Sequence, residues 1–131
     1  MIGIVLVAHA PLASALADCA RHALGQLERV AIYDVLADED PDADAARLSQ
    51  VIAQADDGSG VLVLTDLVGA TPSNVACRAS KLARGRGTAC EVLAGANVPM
   101  LLRVLNYRDL PLAQAGARAL AGASQGVLRV D

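Results

Sequence analysis

Phenylalanine and tryptophan are absent from the chain, and aromatic residues make up only 2% of its 131 positions. An aromatic core is therefore excluded. The interior has to be built from Ala, Val, Leu and Ile, which suits helices packed closely on a sheet. The same absence removes the stacking platforms that single-stranded nucleic acid needs, and a net charge of −3 offers no basic footprint, so nucleic acid is not an expected partner. The three cysteines, Cys19, Cys77 and Cys90, form no CxxC or Cys/His cluster. Neither zinc nor a disulfide framework is expected, and the thiols read as buried groups in a reducing cytoplasm. No apolar run approaches the ~18 residues of a membrane span. The N-terminus has neither the charged region nor the cleavage site of a signal peptide. A cytoplasmic protein with no membrane span is predicted.

What is present is apolar and regularly spaced. Hydrophobic residues make up 54% of the chain, enough for one domain covering 1–131 with a core of its own. Five β-branched runs stand out: IGIVLVA (2–8), RVAIYDV (29–35), GVLVLT (60–65), ACEVLA (89–94) and GVLRV (126–130). The first and third are apolar nearly throughout, as parallel strands covered on both faces are. Helical spacing lies between them. Leu12, Leu16, Cys19, Ala20 and Ala23 define one face, with Gly25 as a stop, and Ala45, Leu48, Val51, Ile52 and Ala55 define a second. A third helix opens at Thr71-Pro72, read as an N-cap followed by a first-turn proline. A fourth opens near Pro99 and a fifth covers roughly 110 to 122. The alternation predicts a flavodoxin-like α/β fold: an open sheet of four parallel strands, order 2-1-3-4, with helices on both faces. The fifth run is followed by too little sequence for another helix, so it is either a C-terminal edge strand or a strand given to another subunit.

That order makes the first and third strands neighbours, and their C-terminal ends form the switch point where open α/β sheets keep their chemistry. His9 ends the first run and Asp66 follows the third, in VLTDLVGATPSN. A histidine at a strand end is ordinarily a polar residue facing water, and an aspartate there is ordinarily a turn or cap. Their joint placement at one crevice makes them a candidate site. A carboxylate that accepts from one ring nitrogen fixes the tautomer and frees the other nitrogen as a nucleophile. The helices opening after Pro11 and at Thr71-Pro72 would turn free N–H groups towards the same crevice and welcome an anion. The only lysine, Lys81, lies inside the third helix, so no tight nucleotide clamp is expected. The absence of a GxGxxG after the first run and of any Walker motif agrees with this. His22, inside the first helix, is expected on a solvated face.

The chain resembles, over nearly its whole length, the enzyme IIA component of the mannose family of the bacterial phosphoenolpyruvate-dependent sugar phosphotransferase system. IGIVLVAHA, LTDLVGATPSNVA, AGANVPMLLR and the last run carry the likeness. The resemblance implies that His9 accepts a phosphoryl group from the histidine-containing phosphocarrier protein and passes it to an enzyme IIB domain or another acceptor, with no cofactor. It also implies that Asp66 orients His9, holding Nδ1–H while Nε2 attacks. Ala10, Gly69, Thr71 and Ser73 are the candidates to bind the phosphoryl group. It implies a homodimer with exchanged C-terminal strands, too. The chain departs from the family at Ala10, where glycine usually follows the histidine, and in Gly69-Ala70-Thr71-Pro72, where the family has Gly-Gly-Ser-Pro. Each added Cβ narrows the permitted backbone and crowds a docking partner.

Three other readings compete. One is a regulatory protein whose His9 phosphorylation state controls a partner without sugar transport. Another is the phosphotransferase subunit of a dihydroxyacetone kinase, against which Pro72 and Asn74 weigh. A response-regulator receiver shares the topology, but it needs an acid cluster after the first strand and a lysine near the last, and neither is present. Asp66, read as sitting at an open crevice, is expected to carry little of the stability.

Overall fold

A computed structural model describes residues 1–131. Nine elements alternate along it: β1 (Gly3–His9), α1 (Leu12–Leu24), β2 (Val30–Val35), α2 (Pro41–Ala55), β3 (Val61–Thr65), α3 (Thr71–Gly85), β4 (Cys90–Leu93), α4 (Val98–Leu105) and α5 (Leu112–Gln125). The four strands form one parallel sheet in the order β2-β1-β3-β4, as the sequence pattern predicts. Every residue of β3 and all of β1 up to Ala8 are buried, which is why these two runs are apolar without alternation. Ile4, Leu6, Leu62 and Leu64 face the side covered by α1, α4 and α5. Val5, Val7, Val61 and Val63 face α2 and α3.

Three expectations are corrected. The buried face of α1 is Ala13, Leu16, Ala17 and Ala20 rather than the Leu12, Leu16, Cys19, Ala20 and Ala23 stripe. Alanines at i, i+4 and i+7 let the helix lie close on the sheet, and that close approach turns the larger Leu12 outward. Cys19 is consequently exposed, Cys77 is exposed on α3, and only Cys90 is a buried thiol. The GVLRV run is not a strand of this sheet. Residues 127–131 carry no regular structure, and Val127, Leu128 and Val130 are exposed.

The two ends of the sheet differ. At the N-terminal end Arg108 is buried and donates to backbone carbonyls: Nε and Nη2 to Ile2 O (3.0 and 2.9 Å), Nη2 to Arg29 O (2.9 Å), and Nη1 to Glu28 O. Burial lowers its pKa from the ordinary arginine value. A buried cation, its donors taken up by backbone carbonyls, thus ties together the N-terminal end of the sheet. On β1, Gly3 sits where α2 ends, and a Cβ there would overlap the backbone carbonyl of Ala55. Gly3→Ala is therefore expected to destabilise the fold by about 1–3 kcal/mol, read as a lower urea midpoint at unchanged m-value. An unchanged midpoint would contradict this packing.

Candidate functional site

Parallel pairing sets the site. β1 lies between β2 and β3, with His9 opposite Val35 and Val7 opposite Thr65, so the chain leaving β3 at Asp66 passes beside the end of β1. There Asp66 Oδ2 accepts the His9 backbone N–H (3.0 Å) and lies 2.7 Å from His9 Nδ1. Asp66 Oδ1 accepts the N–H of Leu67 (2.8 Å). The carboxylate is 12% exposed while the imidazole is 55% exposed. Burial pushes the Asp66 carboxyl upward, but the bonds from the His9 amide, the His9 ring and the Leu67 amide outweigh it and hold the pKa below the ordinary value. An ionised carboxylate only accepts, so Nδ1 carries the proton. Nε2 has no partner in the chain and lies on an exposed ring.

Around His9 lies an open cleft of about 460 Å³ lined by His9, Ala10, Val35, Leu36, Ala37 and Thr71. The structure thus brings Ala10 and Thr71 to the imidazole. Gly69 stands in the turn behind Asp66 with φ +84°, a conformation that favours glycine. Ser73 is buried and its side chain does not line the cleft. Thr71 is not the N-cap. The first helical bond runs from Asn74 N–H to Ala70 O (3.1 Å), so α3 starts one residue earlier, and no side chain caps it. The amides of Thr71 and Ser73 are left without partners. His22 is exposed in the last turn of α1, away from the cleft.

Two features escaped the sequence reading. Asp34, at the end of β2, holds Ser14 of α1. The other is a fully buried carboxylate, Asp44 of α2, which ties that helix to Tyr33 of β2. Its Oδ1 accepts from Tyr33 OH (2.6 Å) and Arg47 Nη2 (2.9 Å), and Arg47 reaches on to Glu39 (2.9 Å). In both cases the available signal was a charged residue interrupting an otherwise apolar face.

Known proteins similar to the chain as a whole give its family. Residues 3–120 match the EIIA-man family, described as the PTS system fructose IIA component. The chain belongs to the mannose-type enzyme IIA family. The PTS system mannose-specific EIIAB component of Escherichia coli (strain K12) is 33% identical over 108 residues, 82% of this chain; the chain spans about a third, 32%, of that relative's length. The fold is shared with phosphotransferase system component EIIA from Streptococcus agalactiae, with a TM-score of 0.84 at 24% identity over 98% of this chain and 97% of that one. The mannose/sorbose-specific IIA subunit from Enterococcus faecalis gives the same TM-score, 0.84, at 24% identity over 99% and 95%. No helix of this IIA chain is long and apolar enough to cross a membrane.

The departures from the family's glycines are tolerated by the backbone. Neither Ala10 nor Ala70 has a positive φ, and Ala70 is extended (φ −83°, ψ 168°), so neither position requires glycine here.

Three donors converge on one largely buried carboxylate, so Asp66 is expected to contribute more to stability than a carboxylate at an open crevice. Its folded pKa is depressed, so its contribution is complete above the unfolded value of about 3.9 and is lost as pH falls through the folded value. Asp66→Asn is expected to cost about 1–3 kcal/mol at pH 7, with the gap from the unsubstituted protein closing in acid. Denaturation curves of both proteins at neutral and acid pH check this, and a gap that stays constant with pH would contradict it.

Proposed function

We propose that this IIA chain is a phosphoryl relay that accepts a phosphoryl group on His9 Nε2 from the phosphohistidine of the histidine-containing phosphocarrier protein and hands it to an enzyme IIB domain. The observation that carries the proposal is the 2.7 Å bond from His9 Nδ1 to Asp66, with Nε2 unpartnered on an exposed ring. In transfer the Nε2 lone pair forms a bond to phosphorus as the donor's N–P bond breaks. The donor imidazole keeps that electron pair, and Nδ1–H stays on Asp66. Positive charge grows on the His9 ring, and the carboxylate stabilises it by a charge-assisted bond. The reverse displacement, by the acceptor's nucleophile, empties the site.

Several features suit a relay rather than a store. No arginine or lysine lines the cleft. What remains for the phosphoryl oxygens is the unpartnered amides at the start of α3 and the threonine hydroxyl of Thr71. A helix N-terminus favours an anion by ~0.3–1 kcal/mol, enough to receive the group without trapping it. Leu36, Leu67 and Val68 are exposed around the cleft and give an apolar rim for a protein partner. In the same proposal the molecule is a homodimer. β4 is a sheet edge with a groove of about 430 Å³ beside it, and the apolar run Val127–Val130 has no partner in its own chain. Exchange of these runs between two copies would cover both edges.

Incubation with phosphoenolpyruvate, enzyme I and the phosphocarrier tests the relay. The expected result is one acid-labile, alkali-stable phosphate per chain, absent from His9→Ala and unchanged in His22→Ala. Asp66→Asn is expected to slow transfer per folded molecule roughly 10- to 200-fold, since a charge-assisted bond is worth ~1.5–3 kcal/mol. Phosphate retained by His9→Ala would overturn the assignment. For the dimer, sedimentation is expected to find two chains together in the full-length protein and monomer or aggregate after truncation at Ser124. A monomeric full-length protein would overturn the exchange.

A further inference from the structure

Between His9 and the first residue of α1 lie only Ala10 and Pro11. The orientation of the imidazole therefore depends on how firmly that first turn is held. Pro11, at the N-cap position, has no side chain that can cap the helix. The hold comes from β2. Asp34 ends the face of β2 that carries Val30 and Ile32, the residues packed against the same core half as α1. Its carboxylate grips Ser14 at two points: Oδ1 accepts the Ser14 N–H (3.2 Å), and Oδ2 accepts the Ser14 hydroxyl. The next residue, Val35, accepts the N–H of Ala10 on its carbonyl (3.0 Å). The last two residues of β2 thus pin the chain on the far side of His9, while Asp66 pins His9 itself.

We infer that Asp34 is a positioning residue for phosphoryl transfer: through Ser14 it fixes the first turn of α1, and with it the one orientation in which His9 keeps Nδ1 on Asp66 and presents Nε2 outward. The inference rests on His9 being the phosphoryl acceptor. A cap that served stability alone would behave differently, because its loss would lower the melting temperature and leave both the His9 ring and the transfer rate per folded molecule as they were.

The test uses the full chain with Asp34→Ala, Asp34→Asn and Ser14→Ala. Transfer from the phosphocarrier is followed over a range of donor concentrations, and the His9 ring is observed by ¹⁵N–¹H NMR. Asp34→Ala is expected to lower the rate at saturating donor about 10-fold, with KM nearly unchanged, because misorientation costs the step after binding. The single Nδ1–H tautomer signal should give way to a mixture. Asp34→Asn should restore most of the rate, since its amide oxygen still accepts the Ser14 N–H and its NH₂ can donate to the hydroxyl. Ser14→Ala, which keeps the amide arm, should slow transfer about threefold. A folded Asp34→Ala protein with normal rate and an unaltered ring signal overturns the inference and leaves the relay standing. Absence of His9 phosphorylation in the unsubstituted protein overturns both. Should Asp34→Ala fail to fold, Ser14→Ala decides alone: unchanged rate and ring signal overturn the positioning role.

Discussion

A single hydrogen bond between residues 57 positions apart, from the His9 ring to Asp66, organises the C-terminal end of the sheet in this molecule. It exists because β1 and β3 are neighbours in a parallel sheet, which brings the chain after β3 alongside the end of β1. The carboxylate is largely buried and ionised, so it acts only as an acceptor, and the donors around it are fixed in turn. The His9 amide, the His9 ring and the Leu67 amide share its two oxygens. Tautomer, ring orientation and the path of the following turn are set together by one group. The exposed nitrogen is what that arrangement leaves over.

The rest of the fold protects this asymmetry. Arg108 ties together the opposite end of the sheet with its guanidinium on backbone carbonyls, and no arginine or lysine lines the cleft beside His9. An arginine beside His9 would bind a phosphoryl group more tightly and slow its departure. The proposed relay needs acceptance and release to be nearly balanced, and unpartnered helix amides with a hydroxyl would offer a weak, directional welcome. In the proposed relay, the exposed Leu36, Leu67 and Val68 supply apolar surface for a protein partner.

The strand order and the meeting of His9 with Asp66 were legible in the sequence because both follow from periodicity and topology. Two runs apolar nearly throughout read as central strands, and central neighbours share their ends. The buried face of α1 was misread because hydrophobicity ranks Leu12 above Ala13, whereas close helix–sheet packing selects the smaller residue. The same rotation exposes Cys19. Thr71 satisfied a local cap pattern, yet the helix begins at the carbonyl of Ala70 and the threonine turns to the cleft. The Asp34–Ser14 grip and the Arg108 tie join positions far apart in the chain, and no local pattern marks such pairs. Asp34 and Asp44 could only have been noticed as charges that break an apolar stripe.

The central claim is that Asp66 keeps the proton of Nδ1 while Nε2 carries the phosphoryl group. Phosphorus and nitrogen-15 NMR of the phosphorylated, isotope-labelled protein measures both at once. The predicted spectrum shows phosphorus bonded to Nε2 of His9, with the Nδ1 proton retained and hydrogen-bonded. Phosphorus on Nδ1, or on any residue other than His9, would contradict the account.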